Sequence, residues 1–272
     1  MKKTWGIIAI VLCLMLGIGT FFDLDIAQAV FKKDNYFSYF FEHLAPVVFA
    51  TVNIIGASLL LFTRRWKTDN KLIIFLSGIG FIFFTFLGVL LSYNYLKLFG
   101  LIYGILATVI AAVCVTKIPK ELRSDYAKAG LAIVLTSIVS MFIVEGIKPI
   151  WGRVRFRSMQ ENFDLFTRWY SVNGAKYLTS VPAKEEIKSF PSGHSQWVGN
   201  TLSLSLLFLV NPKLRDKENL VIGIAAAYAG IVMFSRMMQG AHFLSDVTIG
   251  FSIAFACFIL FRKVIVTRSI NL

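Results

Sequence analysis

Residues 96–116 read LKLFGLIYGILATVIAAVCVT, a run whose single charge is Lys97. A helix rises about 1.5 Å per residue, so about 20 apolar residues cross a hydrocarbon core about 30 Å thick. In lipid such a helix satisfies its backbone polar groups internally, whereas in water the same run would expose a large apolar surface. Working outward from it, similar runs occupy residues 5–22, 44–63, 72–93, 127–147, 195–210, 220–234 and 246–261. The expected fold class is therefore all-α, a polytopic transmembrane helical bundle of about eight spans. Helix stops are expected at a tight turn near Asn94 and in the loops carrying Pro119 and Pro212, because proline is poorly tolerated inside a helix.

Composition agrees. Of 272 residues 57% are hydrophobic, 26 are Phe, and the mean hydropathy is +0.70, values that exclude an ordinary soluble domain. A net charge of +13 would raise nucleic acid as a partner for a soluble protein. Here basic loops between apolar spans orient the chain and meet anionic headgroups, so no nucleic-acid partner is expected. Cys13, Cys114 and Cys257 fall inside spans and read as small apolar side chains rather than a disulfide framework. Lys2-Lys3, the first apolar run and Ala27-Gln28-Ala29 resemble a cleavable signal, but the run is longer than most signal cores and reads as an uncleaved span.

With the N-terminus inside, 16 of the 28 basic residues lie on the inner face, among them Arg65, Lys67, Lys117, Lys120 and Arg268. Most of the outer cations gather in residues 148–190, and Arg236 stands in a short outer loop. Cations concentrated where topology disfavours them suggest an anion to bind; a solvated loop is the competing account. The chain divides into an N-terminal two-span extension, residues 1–71, and a membrane domain, residues 72–272.

Three polar clusters reach outer helix ends in this orientation. They are Lys148-Pro-Ile-Trp-Gly-Arg153-Val-Arg155, Pro191-Ser192-Gly193-His194, and Ser235-Arg236 followed by His242 and Asp246. Lys148, Arg155 and Arg236 supply donors for phosphoryl oxygens. Ser192 and Gly193 open a helix, where free N–H groups favour an anion and glycine permits close approach. His242 and Asp246, four apart, would share one face of a helical turn, with the carboxylate fixing the imidazole tautomer of a nucleophile. His194, on another segment, could protonate the leaving oxygen. Each feature has a plainer reading. Ser192 is a good helix cap, Asp246 would cap the last span, Glu145 and Lys148 would form an ion pair, and His43 reads as interfacial decoration. Two of three histidines falling in these clusters favours catalysis over coincidence.

The clusters resemble the signature of the type-2 phosphatidic acid phosphatase family: Lys, six residues, Arg-Pro; Pro-Ser-Gly-His; and Ser-Arg, five residues, His, three residues, Asp. Lys148 and Arg155, residues 191–194, and Ser235-Arg236 with His242 and Asp246 have these spacings. Phe156 stands where the first motif has proline, so the loop after Arg155 is expected to follow its own path. The resemblance implies a six-span phosphatase core that works without cofactor or metal. His242 would form a phosphohistidine assisted by Asp246, with His194 as the acid. Lys148, Arg155, Ser192, Gly193 and Arg236 would hold the phosphate. Arg153 is either an additional donor or an exposed loop arginine. Phe163, Phe166, Trp169 and Tyr170, in the outer loop, suit either a flap at the headgroup layer or a loop core.

The function expected is hydrolysis of a lipid phosphomonoester or isoprenyl diphosphate at the outer face of the plasma (inner) membrane. Undecaprenyl diphosphate, phosphatidylglycerol phosphate and phosphatidic acid are the candidate substrates, and the expected partners are that lipid and the bilayer. Transfer of the phosphoryl group to an acceptor alcohol would use the same residues. A non-catalytic lipid-phosphate binder would leave the pairing of His242 with Asp246 unexplained. A metal-dependent phosphatase would want more converging carboxylates and histidines than the motifs offer.

Overall fold

The computed structural model describes residues 2–64, 71–159 and 162–267. Arg65, Lys67 and Arg268 of the expected inner cation set lie outside them. The chain is all-helical, with no strand among the described residues. Its principal α-helices are α1 (Lys2–Val30), α2 (Tyr36–Arg64), α3 (Lys71–Thr116), α4 (Arg123–Trp151), α5 (Gly193–Gly199), α6 (Ser205–Leu209), α7 (Glu218–Met238) and α8 (Leu244–Phe261).

Among the described residues six helical segments are long and apolar enough to cross a membrane: Thr4–Val30, Tyr36–Thr63, Leu96–Thr116, Lys120–Ser158, Arg215–Met238 and Leu244–Thr267. The other two expected spans depart from a simple crossing. The run at 72–93 holds a shorter apolar helix, Gly78–Leu90. The run at 195–210 is broken into α5, a 3-10 segment Asn200–Leu204, and α6. That run carries Gln196, Asn200, Thr201, Ser203 and Ser205, which lower both its hydropathy and its helix propensity.

Within α3 the expected turn at Asn94 falls instead at Lys97, whose φ of 52° and ψ of −129° interrupt the helix. The two halves fold back so that Gly104 meets Val89. The Pro119 expectation holds, since α3 ends at Thr116 and Pro119 caps the next 3-10 turn.

The chain forms two compact units. One comprises His43–Val139, Asn200–Ala225 and Phe255–Leu272. It contains an apolar cluster of Ala57, Phe84 and Val134 and a buried ion pair of Arg262 with Glu218 at 2.8 Å. The other comprises Met1–Glu42, Ser140–Gly199 and Ala226–Ala254, and holds all three motif clusters. In this unit α1 and the start of α2 pack with the motif segments. The contact is close at Gly19, where a methyl group would lie 3.0 Å from the Ser245 backbone nitrogen at the start of α8.

In the motif unit the outer loop has its own core of Ala27, Val154, Phe156, Met159, Leu165, Ile187 and Phe243. Phe156, standing in place of the motif's proline, is buried there and stacks on Phe163. Phe166 packs against Phe243, and the Trp169 indole N–H donates to Thr20 Oγ1 at 2.9 Å. Of the four loop aromatics Tyr170 is the most exposed. A loop core therefore describes Phe166 and Trp169 better than a free flap, while Phe163 and Tyr170 stay exposed.

Candidate active site

The first cluster sits where α4 ends. Lys148 occupies its last turn, and Gly152, at φ +58°, donates its N–H to the Lys148 carbonyl and stops the helix in a left-handed conformation. The chain then runs extended, tied to the segment before the second cluster by Arg155 N–H donating to the Glu186 carbonyl at 2.8 Å and Ser189 N–H to the Arg153 carbonyl at 3.0 Å. Ser192 N–H donates to the Asp246 carbonyl at 3.0 Å, which fastens the second cluster to α8. Three segments distant in sequence thus meet through backbone hydrogen bonds.

Lys148 Nζ pairs with Glu145 at 2.5 Å, so that ion pair exists, and the same ammonium faces Gly193, where a methyl group would stand 3.0 Å from it. Ser192 is the α5 cap: its buried Oγ accepts from Ser195 N–H at 3.3 Å and from the Ser195 hydroxyl at 3.0 Å. Arg155 lies 4.0 Å from the Glu186 carboxylate, and Arg236, 2% exposed, lies 3.1 Å from Glu42. The His194 ring bonds to the Glu42 backbone and packs against Trp197.

Four buried nitrogens here make no hydrogen bond within the protein: Arg155 Nε, His194 Nε2, and Arg236 Nε and Nη1, the last of which is paired only by charge with Glu42. Buried polar groups are nearly always satisfied, so unpaired nitrogens of two guanidiniums and one imidazole gathered in one site describe a cradle for a ligand rich in acceptors. A phosphate, with oxygens on every side, fits that need.

His242 differs from its expected geometry. It precedes α8 by two residues instead of lying on it, and its Nδ1 is 4.0 Å from Asp246 Oδ2. Nδ1 instead lies 2.6 Å from the Ser189 carbonyl oxygen. A carbonyl only accepts, so Nδ1 carries the proton and Nε2 is left with its lone pair. Ser189, not Asp246, therefore fixes the tautomer. Asp246 caps α8 through Phe243 N–H at 2.9 Å and also accepts from the Ser189 hydroxyl at 2.6 Å.

Arg153 is neither an exposed loop residue nor aimed at an open site. It is fully buried, bonded to Asp246 at 2.5 Å, Asp23 at 3.0 Å, the Ser245 hydroxyl at 2.9 Å and the Thr167 carbonyl at 2.9 Å, with Phe243 beneath its guanidinium.

Burial first, then the nearby Arg155 and Arg236, holds the His242 imidazole well below the usual 6.5. His194 is lowered in the same way by burial, Arg236 and Arg155. Both rings are therefore neutral at pH 7, and an anion that offset Arg155 and Arg236 would raise their pKa values.

Sequence reasoning missed Asp23, Glu42, Glu186 and Ser189. Asp23 carried a signal, being an ionisable residue beside a transmembrane run, which by default marks function. Ser189 acts through its carbonyl, which residue type does not announce.

Residues 129–270 match the model of the PAP2 superfamily. Phosphatidylglycerophosphatase B of Bacillus subtilis (strain 168) is 38% identical over 76 residues, which cover 27% of this chain and 37% of that protein. No solved structure gives a significant match.

Proposed function

Because the chain belongs to the PAP2 superfamily, we propose that it is a membrane lipid phosphatase in which His242 attacks phosphorus and His194 protonates the departing oxygen. The observation that carries the reading is the set of unpaired buried nitrogens on Arg155, Arg236 and His194 beside His242, whose Nδ1 holds the proton and whose Nε2 is left with its lone pair.

The reaction follows from these positions. Arg155, Arg236 and Lys148 bind the phosphoryl oxygens and offset their charge. His242 Nε2 uses its lone pair to form a bond to phosphorus while the bond from phosphorus to the lipid oxygen breaks. Nδ1 keeps its proton, held by the Ser189 carbonyl. His194, which takes up a proton on Nε2 when the substrate's phosphate offsets Arg236 and Arg155, gives it to the leaving alcohol or phosphate, then accepts one from the water that attacks the phosphohistidine. Phosphate leaves, and both histidines return to their starting state. Neither metal nor cofactor enters these steps.

The substrate is a lipid phosphomonoester or an isoprenyl diphosphate. Phosphatidylglycerol phosphate gains weight from the name of the Bacillus relative, alongside undecaprenyl diphosphate and phosphatidic acid. The site opens on the outer face of the plasma (inner) membrane, the orientation favoured by the inner basic loops.

The test is phosphate release from a panel of these lipids in detergent with a strong chelator present, for wild type, His242→Ala and His194→Ala. Release by the wild type, lost in His242→Ala, is expected. No release with any lipid, or unchanged release by His242→Ala, overturns the proposal. Little free phosphate with abundant phosphorylated acceptor would assign transfer in place of hydrolysis.

A further inference from the structure

Asp23 lies near the C-terminal end of α1, far outside the region that carries the family signature, yet it is only 3% exposed. Its Oδ2 is 3.0 Å from Arg153 Nη2, and its Oδ1 accepts from Ser245 N–H at 2.9 Å. The Ser245 hydroxyl also donates to it. Arg153, fully buried, in turn donates from Nη1 to Asp246 Oδ1 at 2.5 Å. One guanidinium thus bridges two carboxylates, one from the first helix and one from the last.

Formal charge decides what this arrangement does. Arg153 alone would cancel Asp246, leaving nothing negative beside His242. With Asp23 added, the cluster of two carboxylates and one guanidinium carries a net negative charge, and its Asp246 Oδ2 stands 4.0 Å from His242 Nδ1. His242 needs that charge during turnover. When Nε2 bonds to phosphorus and Nδ1 keeps its proton, the ring becomes cationic, and a buried cation requires a compensating anion. Asp246 remains oriented by the Ser189 hydroxyl and by Phe243 N–H.

We infer that Asp23 is a positioning residue of the reaction centre, offsetting Arg153 so that Asp246 presents its charge to the phosphorylated His242. The inference rests on the reading of His242 as the nucleophile. It makes the first helix part of the catalytic apparatus instead of an added module.

The experiment measures kcat and KM with dioctanoyl phosphatidic acid in detergent for wild type, Asp23→Asn, Asp23→Asn/Arg153→Met and His242→Ala. Rates are normalised to folded protein by gel filtration and thermal unfolding. Removing one fixed charge from a reacting centre costs on the order of a hundredfold. Asp23→Asn is expected to lose that much in kcat with KM nearly unchanged, because the phosphate donors are untouched. The double variant, in which Asp246 again stands unneutralised, is expected to recover at least tenfold although every contact between Asp23 and Arg153 is gone. A merely structural role predicts no recovery, since more contacts have been lost.

Turnover by Asp23→Asn within threefold of wild type, or a double variant as slow as the single, overturns the inference. If Asp23→Asn yields no folded protein, the double variant alone decides: turnover within tenfold of wild type is expected, and a hundredfold loss overturns it. Absence of turnover in wild type, or unchanged turnover in His242→Ala, overturns the functional reading and this inference with it. Normal behaviour of those two proteins confines any failure to Asp23.

Discussion

Gly250, on α8, tests how tightly the second cluster is held. A methyl group built there would lie 2.2 Å from the Ser192 carbonyl oxygen and 3.1 and 3.2 Å from its carbonyl carbon and nitrogen. Carbon and oxygen in contact stand about 3.3 Å apart, so Gly250→Ala must separate α8 from the Ser192 backbone by about 1 Å. All three atoms are backbone, and no side-chain rotation relieves the overlap. Overpacking of this kind costs about 1 to 3 kcal/mol. It also strains the bond from Ser192 N–H to the Asp246 carbonyl and moves His194 relative to His242, and a displacement near 1 Å costs on the order of a hundredfold in turnover. The assay is phosphate release in detergent with thermal unfolding of the same preparations. Gly230→Ala is the control, since a methyl group there meets nothing within 4 Å. Gly250→Ala retaining wild-type turnover and stability would refute the claim that this contact sets the site.

Three further outcomes are expected. Binding of inorganic phosphate at pH 7.5 should take up protons, because His194 is held neutral by burial and by Arg236 and Arg155, and a bound dianion offsets those cations. Calorimetric enthalpy should rise with buffer ionisation enthalpy in wild type and not in His194→Ala, and equal slopes would count against the assignment. Burial pushes the Glu186 carboxyl up, but hydrogen bonds from Arg157 and Ser158 outweigh it and hold the group below the usual 4.5. Its contribution is then complete above that value and fades as pH falls through the lowered one. Glu186→Gln should destabilise by about 1 to 2 kcal/mol at pH 7 and by much less at pH 3, as measured by thermal unfolding. In a background without Cys13, Cys114 and Cys257, Val172→Cys, at a loop position 60% exposed, should react with a membrane-impermeant maleimide on intact cells. Labelling only after lysis would reverse the assigned orientation.

Much of the fold was legible because lipid imposes a simple rule on long apolar runs, which residues 96–116 satisfy without reference to any partner. The rule failed at 195–210, where buried Gln196, Asn200 and Ser203 break the helix, and at Asn94, where the turn fell three residues later at Lys97. The motif residues were legible too, through spacing and residue type. What each one touches was not.

The sequence by itself determined that this chain is helical, has spans long and apolar enough for a membrane, and carries three clusters spaced as in the family signature, since hydropathy, charge and motif spacing are local properties. Tertiary structure decided that Ser189 sets the His242 tautomer, that Arg153 is a buried bridge, and that Asp23 and Glu42 from the first two helices reach the site. These depend on which groups meet across 53 to about 200 residues of chain, and no local pattern encodes the hydrogen bond a buried charge will find.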